Sequence, residues 1–534
     1  MRRTMKWKSM ILPAMALTLI TSACSSNTAS STNSPSTNTT SSTDGNSNAK
    51  PVKLSIFITS RATDAMYSNE TMIWKELGKK LNIEFEFITG DAKTMNDKFP
   101  IMVASGEIPD IVSGRIRDFN KFGAQGAFQS LNELIKKAPN IQKYLMDDKA
   151  AKMQTMAADG NMYSIPMLSA VRTSEGPLVR KDWLDKLGLP MPETIDDWYT
   201  VLKAFKEKDA NGNGDANDEV PFATTGTPDT YYLNFADAWG IDLNADGRWM
   251  EESGKMVFTP IDPRAKEYLA TMNKWYSEGL LDKEMLSRQE KDYTAMIFND
   301  KVGVTNHWVG YVAGFNARPE AQKIPGFNFQ VAQPPVLKKG DKPLTSRQQQ
   351  ITVPWAWAIG NKNKNVEATM KLFDYVYSDE GQLLLNFGLE GDTYTKSGND
   401  VKYTDKITKN ADGSAKALYR IGAQSLIGFR QDARYEKASC VSDDACKQLF
   451  DYVDHNYFRD PVPSLKYTED DAEKFNEIST PMNTYVDEMM SKFIIGQEPI
   501  GKFDDFVAKV KSMRFDEVNQ IQQKAYAKYK EMSK

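Results

Sequence analysis

Apolar and polar residues alternate where the folded part of the chain begins. In "VKLSIFI" every second residue from Val52 to Ile58 is apolar, which predicts a half-buried strand. "NETMIWKELGKKLN" then shows helical spacing behind Asn69, the predicted N-cap, and "IEFEFI" alternates again. A second helix, ending near Gly106, leads into a predicted strand over residues 108–112. This alternation of strands and helices predicts parallel pairing and an α/β fold.

The middle and the end of the chain have the spacing of amphipathic helices. "PETIDDWYTVLKAFKEKD" predicts a helix capped by Thr194, with Asp197 three residues later as a capping box. "FDDFVAKVKSM" and "FDEVNQIQQKAYAKYKEM" predict two helices near the C-terminus. The folded part therefore combines sheets with helices along its whole length.

The first 23 residues have a different pattern. The basic segment "MRRTMKWK" precedes the short apolar segment "MILPAMALTLI" and the small residues of "TSAC", which is the layout of a secretory signal peptide. Cys24 after small residues resembles a bacterial lipobox, in which this cysteine takes a lipid and becomes the mature first residue. The alternative is an ordinary cleaved signal with a chance cysteine. The Ser/Thr/Asn-rich residues 24–50 cannot bury enough surface to fold, and they predict a tether outside the membrane.

Composition excludes several functional classes. The formal net charge of −4 over 534 residues lacks the basic footprint of a nucleic-acid binder. Only two histidines are present, which argues against a multi-histidine zinc site. Of the three cysteines, Cys440 and Cys446 remain once Cys24 is lipidated. In an exported protein they predict a disulfide, and two free thiols are the alternative.

"DANGNGDANDEVPF" has oxygen-bearing side chains on alternate residues, as in a calcium loop. The first, third and fifth loop positions carry Asp and Asn, and a Gly follows at the sixth. The Glu expected at the twelfth position is replaced by Val220. The predicted Ca²⁺ ligands are Asp209, Asn211, Asn213, Asp215, Asp218 and Glu219. A polar turn that binds no ion is the alternative, and it is preferred for the similar stretch "IDLNADG".

Several segments together resemble one protein family. "VRKDWLDKLGLPMPETIDDWYTVLKAFKEKDANGNGDANDEVPF", "IMVASGEIPDIV", "AMIFNDKVGVTNHW" and "GLEGDTYT" are similar to the family 1 extracellular solute-binding lipoproteins of carbohydrate ABC transporters, in particular to the LipO-like subgroup. The resemblance implies a type II periplasmic-binding-protein-like α/β fold. Its two lobes are each a sheet flanked by helices, and a hinged cleft separates them. It also implies a structural Ca²⁺ in the loop over residues 209–219.

The resemblance also implies the organisation and the partners of the chain. We expect residues 51–170 and 335–385 in the first lobe, and residues 171–334 and 386–534 in the second. The implied ligand is an oligosaccharide, and the implied partners are the permease subunits of an importer and a membrane reached through the lipid. We expect a monomer that does not bind nucleic acid.

Sugar-binding clefts combine aromatic faces with polar side chains that bond to hydroxyl groups. Arg61 follows the first strand, where α/β sheets place ligands. We expect Trp355 and Trp357 to face opposite ways on one strand, so that at most one contacts a ligand. For Trp239, core packing is an equal alternative. The predicted ligand-binding residues are Arg61, Arg172, Glu175, Trp239, Asn306, His307, Trp308 and Trp355.

Two other functions remain open at this point. A glycan-active enzyme needs only a pair of carboxylates, and the chain has 71 Asp and Glu residues. A glycan-binding adhesin or sensor subunit would bind without transport. The sequence has no nucleophile elbow or P-loop motif. We therefore predict a binding protein without catalytic residues.

Overall fold

The computed structural model describes the chain from residue 50 onward, with short gaps. The described residues are 50–169, 174–224, 231–243, 248–346, 351–410, 413–438, 443–460 and 462–533, without the side chains of 231–234, 436, 438 and 443–446. The predicted signal peptide, Cys24 and nearly all of the predicted tether lie outside these residues.

Thirteen strands are present in the described residues, and they are numbered in chain order. They are β1 (Val52–Thr59), β2 (Ile83–Gly90), β3 (Ile111–Arg115), β4 (Ile165–Leu168), β5 (Glu175–Arg180), β6 (Val220–Phe222), β7 (Trp249–Glu252), β8 (Lys255–Phe258), β9 (Val302–Trp308), β10 (Phe329–Val331), β11 (Thr352–Ile359), β12 (Tyr394–Ser397) and β13 (Asp400–Tyr403).

The helices of the described residues cover the sheets. The α-helices are α1 (Met72–Leu81), α2 (Ala92–Ser105), α3 (Ile116–Ala124), α4 (Asn132–Ile135), α5 (Pro139–Ile141), α6 (Lys149–Thr155), α7 (Lys181–Leu187), α8 (Ile195–Glu207), α9 (Pro263–Ser277), α10 (Glu290–Phe298), α11 (Tyr311–Asn316), α12 (Val366–Tyr377), α13 (Asp379–Phe387), α14 (Asp405–Thr408), α15 (Ser414–Arg420), α16 (Ala433–Ala438), α17 (Asp443–Asp454), α18 (Glu469–Ile495), α19 (Phe503–Ser512) and α20 (Phe515–Met532). A π-helix spans Gln142–Met146, and 3₁₀ helices span Tyr231–Trp239, Thr259–Ile261, Ala321–Lys323 and Ile500–Lys502.

Two larger sheets organise this body. The five-stranded sheet has the order β2-β1-β3-β11-β4, and the four-stranded sheet has the order β10-β5-β9-β6. Strand β1 pairs in parallel with both β2 and β3, which confirms the parallel opening expected from the sequence. The later strand β11 enters the first sheet antiparallel to β3 and to β4. We call the five-stranded sheet with its helices the first lobe, and the four-stranded sheet with its helices the second lobe.

The chain passes between the lobes three times. β4 and β5 follow one another in sequence but lie in different sheets, and so do β10 and β11. The third passage follows Phe429, which belongs to the core of the first sheet, and precedes α18, which packs in the core of the second. Repeated passage makes each lobe discontinuous in sequence, as the family resemblance implies.

Each lobe has its own hydrophobic core. Trp74 and Trp357 are fully buried in the first core, with ring centroids 6.2 Å apart. In the second core, Trp183 packs edge to face on Phe205 with centroids 5.2 Å apart. The last helices α18, α19 and α20 contribute to the second core, which is why the chain after residue 468 belongs with the second sheet.

The predicted lobe boundary at residue 385 does not match the cores. Phe387, Tyr394, Leu418 and Phe429 are buried in the first core, although the sequence placed them in the second lobe. The reason is the hairpin of β12 and β13 and the helices beside it, which pack against α13 rather than crossing over. Segments that pack on a neighbour close in sequence carry no boundary signal of their own.

Two helix starts show how local sequence determines structure. Thr194 Oγ1 accepts a hydrogen bond from the Asp197 amide at 3.1 Å, and the Asp197 carboxylate accepts from the Thr194 amide at 2.9 Å, so the predicted capping box is confirmed. Asn69 is not the N-cap of α1, because Thr71 takes that place. The Asn69 amide group instead pairs with both backbone groups of Phe85, at 2.9 Å and 3.1 Å, and holds the edge strand β2.

Candidate functional site

A cavity of about 340 Å³ lies at the edge of the first sheet where β1 and β3 end. Since these strands are parallel and β11 runs antiparallel to them, Thr59, Arg115 and the beginning of β11 meet at one edge. This carboxyl edge is where α/β sheets place ligands. Aromatic and cationic side chains share the lining, which includes Phe57, Phe99, Phe122, Arg115, Arg117 and Trp355.

Trp355 is the one predicted ligand residue that lines this cavity. Its cross-strand partner is Arg115, whose guanidinium carbon lies 5.8 Å from the centroid of the Trp355 ring. Trp357 pairs with Ser113, and it is fully buried. The expectation that the two tryptophans face opposite ways is wrong, because side chains two residues apart on a strand point to the same face. Trp355 is half-buried and packs against the first core, whereas Trp357 lies inside that core.

Four predicted ligand residues meet at one edge of the second sheet. The antiparallel register of β5 and β9 pairs Glu175 with Trp308 and Gly176 with His307. Glu175 and Asn306 are buried, and His307 and Trp308 are half-buried. The edge is again the carboxyl end of a strand, because β9 is parallel to β6 and ends at Trp308. The structure therefore brings four of the predicted ligand residues to one place, and their contact with a ligand stays a prediction.

Tyr311, which the sequence analysis did not single out, forms an aromatic platform with His307 at this edge. Their ring centroids are 4.2 Å apart, and Tyr311 is 55% exposed. Burial lowers the pKa of His307 to about 4, so its ring is neutral near pH 7. The signal that could have found Tyr311 is the aromatic repeat at residues 308, 311 and 315, where a strand gives way to a helix.

Arg61 lies directly after β1, as predicted, but its side chain bonds within its own lobe. One guanidinium nitrogen donates to the Gln424 carbonyl oxygen at 2.8 Å, and another donates to the Tyr419 hydroxyl. The guanidinium carbon also lies 3.8 Å from the centroid of the Tyr419 ring. These contacts occupy Arg61 at the end of the strand.

The other predicted residues have different fates. Trp239 is 7% exposed and packs edge to face on Tyr268 in the second core, so the structure favours the core alternative. Arg172 lies outside the described residues. Cys440 also lies outside them, and Cys446 is in α17 without a described side chain, so the predicted disulfide stays a prediction.

The calcium-type loop folds around its own side-chain oxygens. Both Asp209 carboxylate oxygens accept backbone amide hydrogens, from Gly212 at 2.7 Å and from Gly214 at 3.0 Å. Asn211 Oδ1 accepts from the Asn213 amide at 2.9 Å, and Asn213 Oδ1 accepts from the Asp215 amide at 2.7 Å. The side chains at loop positions one, three and five therefore turn toward the inside of the loop.

Glu219 provides the test of whether the loop fits a cation. The residue is 3% exposed, and its Oε1 accepts from the Ala210 amide at 2.8 Å. Its Oε2 is buried without a hydrogen-bond partner, and burial raises the pKa of the carboxyl group. A buried orphan carboxylate oxygen beside inward-facing oxygens fits a Ca²⁺ ligand. Among the described residues, no group of three or more His, Cys, Asp or Glu is placed to hold a metal, so a cation here would also need the Asn and backbone oxygens.

Further contacts tie this loop to the second lobe. The Asp218 carboxylate accepts from the side-chain amides of Asn211 and Asn213, both at 3.0 Å. Asn211 also donates to the Asp300 carbonyl oxygen at 3.1 Å. The loop therefore contacts the turn before β9, the strand that ends in His307 and Trp308.

None of the helices in the described part of the chain is both long and apolar enough to cross a membrane.

The fold and the two sets of site residues define the class: a two-lobed α/β binding protein with aromatic and polar groups at the carboxyl edge of each sheet. Residues 61–383 match the model of the family described as bacterial extracellular solute-binding protein. The chain belongs to this family.

Individual relatives agree with this assignment. The chain is 27% identical over 486 residues to the fructooligosaccharide ABC transporter substrate-binding protein FusA of Streptococcus pneumoniae, covering 86% of this chain and 87% of FusA. It is 28% identical over 341 residues to lipoprotein LipO of Bacillus subtilis, covering 61% of this chain and 64% of LipO. The crystal structure of the alginate-binding protein AlgQ2 without calcium ion is similar, with 30% identity, a TM-score of 0.71 and coverage of 90% of this chain and 98% of AlgQ2. The resemblance to solute-binding proteins of carbohydrate ABC transporters is confirmed.

Proposed function

We propose that this chain captures an oligosaccharide in the cleft between its two lobes and delivers it to the permease of an ABC importer. The observation that carries the proposal is the aromatic platform at the end of β9. The exposed Tyr311 ring, tilted by 37° against the neutral His307 ring, offers an aromatic face to the apolar side of a sugar ring. Trp308, Glu175 and Asn306 lie beside it on the same edge. The named relatives, which bind fructooligosaccharide and alginate, support this ligand class.

The two site edges suggest how sugar binding changes the conformation of the protein. The first lobe offers the cavity beside Trp355 and Arg115, and the second lobe offers the platform of His307 and Tyr311. A sugar chain that contacts both edges stabilises the closed arrangement relative to the open one, so ligand shifts the population toward closure. The permease would recognise the closed form. Arg61 supports the first edge through Tyr419, and Arg172 stays a predicted ligand residue near the first passage between the lobes.

We infer that binding involves no covalent change to the sugar. The family consists of solute-binding proteins. The alternatives, a glycan-active enzyme and an adhesin or sensor subunit, are separated by experiment. Conversion of the sugar would indicate an enzyme, and binding without any permease that co-isolates would indicate an adhesin.

The loop over residues 209–219 is proposed to hold a structural Ca²⁺. Asp209, Asn211, Asn213 and Glu219 would supply side-chain oxygens, and Asp215 would supply its backbone oxygen. Asp218 is a further candidate ligand for the same ion, because its carboxylate accepts hydrogen bonds from the side-chain amides of Asn211 and Asn213. A bound cation would neutralise the buried Glu219 carboxylate and fix the loop against the turn before β9. The cation is expected to stabilise the second lobe and to take no part in sugar contact.

We further propose that the chain acts as a monomer on the outer face of the cell membrane. The family is extracellular, and Cys24 follows a signal-like segment. A multiply acylated Cys24 would anchor the body, because one acyl chain binds a membrane only weakly. Labelling with a radioactive fatty acid tests this, since a Cys24→Ala variant would lose the label.

A further inference from the structure

The lining of the cavity in the first lobe has more cationic than anionic side chains. The formal net charge of the protein is −4, yet two arginines and one carboxylate line the cavity. Arg117 faces Asp118 with the guanidinium nitrogen and the carboxylate oxygen 3.6 Å apart. Arg115 forms no ion pair within the described part of the chain, and its side chain is exposed beside the cavity. The cavity therefore has one cation that no carboxylate among the described residues neutralises.

The backbone of β3 places Arg115 beside the cavity, where a ligand would bind. It is the last residue of β3, and it pairs in register with Trp355 of β11. Its guanidinium lies 5.8 Å from the Trp355 ring centroid, so the cation and the aromatic face line the same opening. A guanidinium presents a planar set of donors that matches a carboxylate through two parallel hydrogen bonds. The neighbouring rings Phe99 and Phe122 are half-buried in the lining and offer apolar surface to a pyranose.

We propose that the oligosaccharide bound by this protein carries carboxylate groups, as uronate units do, and that Arg115 receives one of them while Trp355 stacks on the same sugar unit. This inference rests on the proposed function and narrows its substrate class. Family membership leaves the charge of the ligand open, because the named relatives bind a fructooligosaccharide in one case and alginate in another. The uncompensated Arg115 is the feature of this chain that decides between them.

The test uses pairs of sugars that differ only in charge. Oligogalacturonates and alginate oligosaccharides are compared by isothermal titration calorimetry with their carboxyl-reduced forms, which keep the linkages and lose the charge. We expect the carboxylated sugar of one pair to bind at least about tenfold more tightly than its reduced form, since one charge-assisted pair contributes about that factor. Raising the salt concentration weakens the carboxylated sugar more, because part of its affinity is electrostatic.

A variant assigns the effect to Arg115. Arg115→Gln is expected to lower the affinity for the carboxylated sugar about tenfold and to leave the affinity for the reduced sugar within about twofold. Arg514→Gln removes the same charge from the turn between α19 and α20, far from the cavity in sequence, and is expected to change neither affinity. Circular dichroism confirms that both variants fold.

The outcomes distinguish a failure of the uronate inference from a failure of the proposed function. Tighter binding of neutral oligosaccharides, or equal loss of both affinities in Arg115→Gln, overturns the uronate inference and leaves the proposed function standing. Unchanged affinity of the Arg115→Gln variant for the carboxylated sugar also overturns the uronate inference. No binding of any charged or neutral oligosaccharide overturns the proposed function itself.

Discussion

The hydroxyl of Tyr452 occupies the space that a side chain on Gly176 would need. A Cβ built on Gly176 lies 2.2 Å from that hydroxyl oxygen, which donates a hydrogen bond to the Ala332 carbonyl at 2.8 Å. Tyr452 is 1% exposed in α17, so it has little room to move. This contact fits α17 closely against β5, the strand that begins with Glu175.

A double-variant cycle tests this packing. Gly176→Ala should lower the free energy of unfolding by roughly 1–3 kcal/mol, because an added methyl overfills a close contact. Tyr452→Phe should cost about 1 kcal/mol through the lost hydrogen bond. The double variant should be more stable than the sum of the two losses predicts, since removing the hydroxyl relieves the shortest overlap and leaves the ring carbon Cζ 2.7 Å from the added methyl. Urea denaturation measures all four proteins, and strict additivity would contradict the steric account.

A second prediction concerns the pH dependence of the segment that leads back to the first lobe. Asp237 Oδ1 accepts from the Ser346 amide at 3.0 Å and from the Ser346 hydroxyl at 2.7 Å, just before β11 is reached. Burial raises the pKa of Asp237 to about 7, the nearby Asp242 adds to the rise, and Arg459 opposes it. A raised pKa means that the stability from this group is present at low pH and is lost as the pH rises through about 7.

Asp237→Asn removes this titration. Between about pH 4 and about pH 7 the variant should gain stability relative to the unchanged protein, by at most about 1.4 kcal/mol per pH unit, and the difference should level off above about pH 7. Thermal denaturation across this range gives the difference. The control Asp504→Asn changes an exposed carboxylate on α19 and leaves Asp237 in place, so the loss of stability with rising pH should persist in this variant. A pH-independent difference for Asp237→Asn would refute the assigned pKa.

The aromatic platform gives a third prediction. Tyr311→Ala should weaken oligosaccharide binding about tenfold, because the ring contributes area and a stacking face. Tyr311→Phe keeps the ring, and it should retain most of the affinity. Both variants should melt within a few degrees of the unchanged protein, since Tyr311 is 55% exposed. Calorimetry with the tightest sugar from the screen measures the effect, and equal affinity of the Ala variant would remove Tyr311 from the site.

The calcium loop gives a fourth prediction with a change of sign. In Ca²⁺, Glu219→Gln should melt at a lower temperature than the unchanged protein, because it loses a charged ligand. In chelator, the difference in melting temperature between the two proteins should become smaller or change sign. The reason is that the buried Glu219 carboxylate, whose pKa is raised by burial, then lacks a cation. The control Asp504→Asn should respond to Ca²⁺ as the unchanged protein does. A melting temperature of the unchanged protein that chelator does not lower would count against the site.

Local patterns in the sequence predicted the elements well. The alternation of Val52–Ile58 gave β1, and Thr194 with Asp197 gave the start of α8, because both signals depend on neighbours within a few residues. The family resemblance, which covers most of the body, supplied four candidate ligand residues that lie together at one edge of the second sheet. They are Glu175, Asn306, His307 and Trp308.

Tertiary contacts explain what the sequence could not predict. Asn69 has the composition of an N-cap, but its side chain bonds to Phe85 on a strand 16 residues away. The packing of Phe387, Tyr394, Leu418 and Phe429 in the first core depends on contacts that no periodicity encodes. Tyr311 and Arg115 became candidates only when the register of β9 and β11 placed them beside His307 and Trp355.

One measurement tests the central claim most directly: titration of the purified protein with the oligosaccharide panel by calorimetry, followed by chromatography of the recovered sugar. The account predicts saturable 1:1 binding of at least one oligosaccharide, with the sugar recovered at its original length. Shortened sugars produced in excess over the protein would contradict the account, and so would the absence of binding across the panel.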